Sequence, residues 1–207
     1  LPAGGRDDPF AGEGLERCAV HGPAHIIDED VDHAASLFNL ETFGNIYTRL
    51  TNPTVAVLEQ RIAGLEKGSA AVCASSGHSA QLMAFHVLME PGDHFIAAQQ
   101  LYGGSLNQFG YSFKKFDWNV TYVNANDPDN FRHALSPKTK LIFVESLANP
   151  GGVVVDIEAI AKIAGDAGIP LVVDNTLATP FLWRPFEWGA NLVVHSLTKF
   201  LGGHGNS

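Results

Sequence analysis

Lys199 stands between hydroxyl residues and a run of glycines, in His195-Ser196-Leu197-Thr198-Lys199-Phe200-Leu201-Gly202-Gly203-His204-Gly205. An amine in that setting can form a Schiff base with an aldehyde, while the hydroxyls and backbone N–H groups hold a phosphate. Upstream, the apolar run Pro170-Leu171-Val172-Val173 ends in Asp174-Asn175-Thr176. A carboxylate at a strand end can pair with a pyridinium nitrogen. Such a lysine and such an aspartate are the two protein groups that pyridoxal phosphate (PLP) chemistry most requires. Taken singly, each has a plainer reading: a solvated surface lysine, and an aspartate that caps a turn or helix. Their ordered combination is what points to chemistry.

Similar polar clusters follow other apolar runs. Ala70–Ala74 reads as a buried strand leading into Ser75-Ser76-Gly77-His78, after which residues 79–89 have helical spacing through Leu82, Phe85 and Met89. A Ser-Gly turn at a helix N-terminus offers free N–H groups and the positive end of the helix dipole to a phosphate. It is not the dinucleotide GxGxxG pattern, and no P-loop Gly-Lys-Ser/Thr occurs. Tyr47 and Arg49 alternate in an extended stretch, so their side chains point the same way, and an arginine fork suits phosphate oxygens. The plainer reading there is a loop aromatic and a solvated arginine. His21 and His25 have a metal-like spacing, but Gly22 and Pro23 between them disfavour the helix that would align them, so no metal is expected.

Composition narrows the classes. The 207 residues can bury a sizeable core, and 45% hydrophobic with 17% charged residues suits a globular chain. A net charge of −9 argues against nucleic acid or an anionic membrane as the main partner. An anionic cofactor would need local positive groups, which draws attention to Arg49 and Lys199. Two cysteines, Cys18 and Cys73, do not make a disulfide framework, so a reduced cytoplasmic compartment is expected. No apolar run reaches membrane-spanning length, and residues 1–15 do not read as a signal peptide.

The elements that must position these residues alternate along the chain. Residues 1–20 read as an arm. Asp30 to Asn39 reads as a short helix capped by Asp28 or Asp30, with Val31, Ala34, Ala35 and Phe38 on its apolar side. Asn52 followed by Pro53 starts a helix that runs to about Lys67, with Val55, Leu58, Ile62 and Leu65 on one face and Gly68 as its stop. Strands are predicted at His94–Ala98, Val120–Val123, Lys140–Glu145, Pro170–Val173 and Asn191–Val194. Leu101-Tyr102-Gly103-Gly104-Ser105 follows the first of these, and helices are predicted after it to about Lys115, over Asp127–Leu135, and from Asp156 to about Ala167 with Gly168 as the stop. This alternation implies an α/β domain with a mainly parallel sheet and helices on both faces. Ligands of such sheets sit at the carboxyl ends of the strands, where every polar cluster after residue 70 falls.

Asp174-Asn175-Thr176, then Ser196-x-Thr198-Lys199, then Gly202-Gly203-His204-Gly205 resembles the PLP-dependent Cys/Met-metabolism enzymes. The resemblance runs from about Asp30 to Gly205. It implies the aspartate aminotransferase-like (fold type I) large domain at residues 53–207, here incomplete, with residues 1–52 contributing to a neighbouring subunit and the family's C-terminal domain absent. It implies that Lys199 carries PLP and that Asp174 pairs with the ring nitrogen. Tyr102 would stack on the ring, and Asn149 would lie near the ring hydroxyl. Ser76, Gly77 and His78, with Ser196 and Thr198, would hold the phosphate. Tyr47 and Arg49 would reach the phosphate of the neighbouring subunit, in a homodimer or dimer of dimers. The stretch between Val20 and Asp30 is shorter than the family's.

Within the family, Phe43-Gly44-Asn45-Ile46-Tyr47 and Leu101-Tyr102-Gly103-Gly104-Ser105 look most like O-acetylhomoserine sulfhydrylases. Methionine γ-lyases carry a cysteine where Gly104 stands. The resemblance therefore implies a transferase acting on an O-acylated homoserine with sulfide or a thiol, giving homocysteine or methionine and acetate. The alternatives are a cystathionine γ-synthase or γ-lyase, a methionine γ-lyase, or, from a different class, an inactive non-catalytic fragment that binds only a partner subunit.

Overall fold

The structure, a computed structural model, describes residues 31–44 and 52–205. Its contacts divide the chain into two units, Leu1–Ala63 with Ala70–Cys73, and Gly64–Ser69 with Ala74–Ser207. Tyr47, Arg49, His21, His25 and the Asp28 and Asp30 caps lie outside the described residues.

In the first unit, helix α1 spans Val31–Phe38. Its buried residue is Leu37, whereas Val31 and Phe38, expected on the apolar side, are 83% and 63% exposed. The reversal has a local cause. Leu40 adopts a left-handed conformation (φ 59°). The N–H groups of Glu41 and Thr42 then return to the Ser36 carbonyl. That return brings Gly44 against Leu37, where an added Cβ would sit 2.5 Å from a Leu37 methyl.

Helix α2 spans Pro53–Glu66. Asn52 caps it, its Oδ1 accepting from the N–H groups of Thr54 and Val55 at 2.9 and 3.2 Å. Its left-handed exit residue is Lys67 (φ 59°), not Gly68 as predicted. Gly68 is instead a close-approach position, where a Cβ would lie 3.0 Å from the Phe186 ring. The expected apolar face is only partly covered, with Leu58 and Leu65 exposed, and the buried residue is Glu66. Ala70–Ala74 is not a strand. Val72 is exposed, and the Cys73 N–H donates to the Glu59 carboxylate at 2.8 Å rather than to a ladder. An apolar run becomes a strand only where another strand pairs with it.

The second unit holds a five-stranded parallel sheet: β1 (His94–Ala98), β2 (Asn119–Val123), β3 (Thr139–Glu145), β4 (Leu171–Asp174) and β5 (Leu192–Val194), in the order β2-β1-β3-β4-β5. The central strands are apolar in their middles, Phe95–Ala98, Leu141–Val144 and Leu171–Val173, because both sheet faces are covered. Helix α3 (Gly77–Leu88) precedes β1. Helix α4 (Gly103–Asn107) continues through a π turn at Gln108–Ser112 and a 3₁₀ turn at Phe113–Phe116. Helix α5 spans Asp129–His133, and α6 spans Ile157–Asp166, capped by Asp156 and stopped at Gly168 (φ 68°) as predicted. Helix α7 (Thr179–Leu182) and a 3₁₀ turn at Pro185–Trp188 lie between β4 and β5, where no element was predicted.

The β1-to-β2 connection runs one way along the sheet and the later connections run the other. Right-handed crossovers therefore put α4 on one face and α5 and α6 on the opposite face. The core is aromatic beneath α3 and α4. Phe85 packs against Phe95 and Phe113 with ring centroids 4.8 and 4.9 Å apart, and Phe109 meets Phe143 at 5.0 Å. Deleting one such buried ring costs about 3–5 kcal/mol. The direction in which connections run along the sheet switches between the parallel neighbours β1 and β3, so a crevice opens at their carboxyl ends.

Candidate active site

A cavity of about 210 Å³ lies at those carboxyl ends. Tyr102 reaches it from the loop after β1, Glu145, Leu147 and Asn149 from the end of β3, and Asp174, Thr176 and Leu177 from the end of β4. Ser196, Thr198 and Lys199 come from the segment after β5, and Ser76, Gly77, His78 and Gln81 from the start of α3. The structure thus brings together nine predicted site residues: Ser76, Gly77, His78, Tyr102, Asn149, Asp174, Ser196, Thr198 and Lys199. Tyr47 and Arg49 are the two that lie outside the described residues.

One part of the lining donates hydrogen bonds. Ser76 caps α3, its Oγ accepting from the Ser79 N–H at 3.1 Å. The first turn of a helix leaves N–H groups without helical partners, and these line the cavity at Gly77 and His78. Gly77 is needed there for space. A Cβ would stand 2.9 Å from Ser196 Cβ and 3.2 Å from its Cα. Ser196 is fixed in turn by its N–H, which donates to Thr176 Oγ1 at 2.8 Å. Helix start and lysine loop are therefore closely packed, and Ser196 and Thr198 line the same cavity as Gly77 and His78.

Asp174 supplies the acceptor. Its Oδ1 accepts from the Thr176 N–H at 3.0 Å and its Oδ2 from Gln81 Nε2 at 3.1 Å. Gln81 is buried and also donates to Ser105 Oγ at 3.1 Å. Both carboxylate oxygens are thereby aimed by groups that do not titrate. The Tyr102 ring stacks on His78, with centroids 6.0 Å apart and planes 22° off parallel. Gly104 makes room for that pair, since a Cβ there would lie 2.4 Å from the Tyr102 ring and 2.7 Å from the His78 ring.

Glu145 is buried in the same wall. Its Oε1 accepts from the Tyr102 N–H at 2.6 Å and its Oε2 from the Asn149 N–H at 3.0 Å. Burial pushes this carboxyl up to about 7, and nearby Asp174 adds to the rise, against the two N–H groups that favour the charged form. Behind the cavity runs a second buried network. Ser146 Oγ donates to Asn175 Oδ1 at 2.7 Å, and Asn175 Nδ2 donates to Glu66 Oε1 and to the Trp183 carbonyl, each at 2.8 Å. His195 Nε2 meets the same Glu66 oxygen at 2.5 Å.

Gln81, Glu145, Thr176 and the Glu66–His195 pair are the residues that sequence reasoning missed. Glu145 had a usable signal: like Asp174, it is an acid closing an apolar strand, and the two are register partners across β3 and β4. Glu66 had none, for it ends an otherwise ordinary helix.

The donor set fits PLP. Free helix N–H groups and two hydroxyls suit a phosphate, Lys199 suits an aldehyde, and Asp174, held as an acceptor, suits a protonated ring nitrogen. Known proteins agree. Residues 24–207 match the family of Cys/Met metabolism PLP-dependent enzymes. The chain is 50% identical over 179 residues to the O-acetyl-L-homoserine sulfhydrylase of Leptospira meyeri, covering 86% of this chain and 40% of that protein. It is 41% identical over 189 residues to the homocysteine/cysteine synthase of Saccharomyces cerevisiae, covering 91% and 43%. A Campylobacter jejuni structure assigned as an O-acetylhomoserine (thiol)-lyase, which contains N'-pyridoxyl-lysine-5'-monophosphate, matches with a TM-score of 0.81 at 39% identity, over 87% of this chain and 44% of that one. The chain thus spans less than half the length of the relatives it matches.

Proposed function

The chain belongs to the Cys/Met metabolism PLP-dependent enzymes, and we propose that the full-length protein catalyses γ-replacement on O-acetylhomoserine, exchanging acetate for sulfide or a thiol. The observation that carries this reading is the convergence of Lys199, Asp174 and the Gly77–Ser196 contact on one cavity. Similarity to sulfhydrylases, together with Gly104 between the Tyr102 and His78 rings, favours replacement at Cγ over the lyase alternatives.

The residues divide the work. The Gly77 and His78 N–H groups and the Ser196 and Thr198 hydroxyls bind the phosphate. Asp174, held by Gln81 and Thr176, keeps the ring nitrogen protonated. Tyr102 covers one ring face, and Asn149 is assigned to the ring hydroxyl. Bound there, PLP supplies an aldehyde for an amino group and a ring that accepts electrons from the bond to the Cα proton. Lys199 holds the aldehyde at rest and, once released as a free amine, moves the protons at Cα and Cβ. Acetate leaves from Cγ, the thiolate adds at Cγ, and Lys199 returns the protons, so that O-acetylhomoserine and a thiol give a thioether and acetic acid. With sulfide the product is homocysteine, and with methanethiol it is methionine.

Tyr47 and Arg49 are assigned to the phosphate of a neighbouring copy, in a homodimer or dimer of dimers. Cysteine usage favours the cytoplasm. No helix among the described residues is long and apolar enough to cross a membrane.

The test is turnover by the full-length protein with O-acetylhomoserine and sulfide, run against cystathionine and against methionine. Homocysteine formed faster from the first pair is the expected result. Faster cleavage of cystathionine or methionine makes the protein a lyase. A protein that stays colourless in excess PLP is the non-catalytic remnant. Borohydride reduction followed by peptide mapping should place the pyridoxyl group on Lys199.

A further inference from the structure

Two loops of the cavity are tied together by one side chain that has no role in the chemistry above. Glu145 ends β3, beside the point where the connections switch direction, and its carboxylate splits between them. Oε1 takes the N–H of Tyr102, the first residue of the loop after β1 to line the cavity, and Oε2 takes the N–H of Asn149 in the loop after β3. We propose that Glu145 is a positioning residue for the cofactor: by holding these two N–H groups at once it sets the Tyr102 ring and the Asn149 amide at the distance and tilt the bound ring requires. This rests on the PLP reading of the cavity.

The two-oxygen geometry is what makes the residue specific. An ionised carboxylate presents two equivalent acceptors, whereas an amide presents one acceptor and one donor. A glutamine would keep one loop and set its NH₂ against the N–H of the other. An aspartate, one methylene shorter, would not span both. Burying a carboxylate beside Asp174 does not help the fold, as its raised titration shows. A carboxyl that is unfavourable to bury and is shared between two site loops is better explained by positioning than by stability.

The experiment is a PLP titration of the full-length apoprotein at pH 8, read by absorbance and by the circular dichroism that the protein induces in the cofactor band. Glu145→Gln is expected to raise the Kd for PLP at least ten-fold and to at least halve the induced signal per bound cofactor. The same substitution is then made where Tyr102→Ala and Asn149→Ala are already present. With nothing left to position, its effect should shrink to three-fold or less. An unchanged Kd in Glu145→Gln, or an equal loss in both backgrounds, overturns the proposal, because a merely structural residue would weaken both alike. Wild-type protein that takes up no PLP instead overturns the reading of the cavity itself.

Discussion

His195 Nε2 lies 2.5 Å from Glu66 Oε1, and the two side chains are 5% and 3% exposed. The same oxygen accepts from Asn175, so the end of α2 and the carboxyl ends of β4 and β5 meet at one atom. His195 is the residue before Ser196, so this pair anchors the lysine loop from beneath. Glu66 Oε2 and His195 Nδ1 are buried with no partner among the described residues.

Glu66→Ala should therefore destabilise the protein by about 3 kcal/mol, since it leaves two buried donors unmatched. Glu66→Gln keeps an oxygen where both donors converge and should cost only about 1 kcal/mol. Denaturant midpoints of the full-length protein check the order. A glutamine variant as damaged as the alanine variant would mean that charge, not the shared acceptor, is what matters.

Gly77→Ala sets two effects against each other. Alanine ordinarily strengthens a helix by up to about 1 kcal/mol over glycine. Here the new Cβ would lie 2.9 Å from Ser196 Cβ and 3.2 Å from its Cα, and the Cα cannot yield without moving the lysine loop. Overpacking of this kind costs about 1–3 kcal/mol, so the clash should win. The variant is expected to bind PLP about ten-fold more weakly and to melt lower. Affinity equal to wild type would show that the helix start and lysine loop separate freely.

Glu145 gives stability a defined pH dependence. Its folded pKa, about 7, is above the ordinary 4.5, so the folded protein holds a proton that the unfolded chain has lost. Its relative contribution is greatest below about pH 4.5 and falls as pH rises to about 7, by about 3 kcal/mol in all. The groups facing it are Asp174 on β4 and the Tyr102 and Asn149 N–H donors, with Lys199 and His78 on the same cavity. Glu145→Gln removes this dependence, so its melting temperature relative to wild type should rise between pH 5 and pH 8. Parallel curves for the two proteins would show that Glu145 titrates normally.

The site was legible because its chemistry sits where apolar strands stop. In a parallel sheet covered on both faces, β3, β4 and β5 leave nearly all their polar residues at the ends, and those ends converge. What defeated sequence reasoning was tertiary. Ala70–Ala74 has the composition of a strand but no strand beside it among the described residues. Leu37 is buried by a chain reversal beyond its own helix, not by helical period. Glu66 is made polar machinery by Asn175 and His195, both far away in sequence. Helix α7 and the 3₁₀ turn after it are four residues each, too short for periodicity to show.

The phosphate needs a second cation. Among the described residues that line the cavity, Lys199 is the one lysine or arginine, and in the proposed mechanism its amine is taken by the aldehyde. A phosphate ester carries nearly two negative charges at neutral pH, in a chain whose net charge is already −9. Arg49 of a neighbouring copy is the proposed source, and subunit mixing tests it. In the full-length protein, Arg49→Ala and Lys199→Ala should each be nearly inactive. In a heterodimer of the two, one site combines the wild-type Lys199 of one copy with the wild-type Arg49 of the other, and the second site carries both defects. Random exchange makes half the dimers mixed, each with one sound site, so activity should recover towards about a quarter of wild type and track the extent of exchange. Were Arg49 to serve its own copy's site, every site would carry one defect and nothing would recover. Mixed dimers that exchange fully, as seen by mass, yet stay inactive would confine Arg49 to its own subunit or to folding.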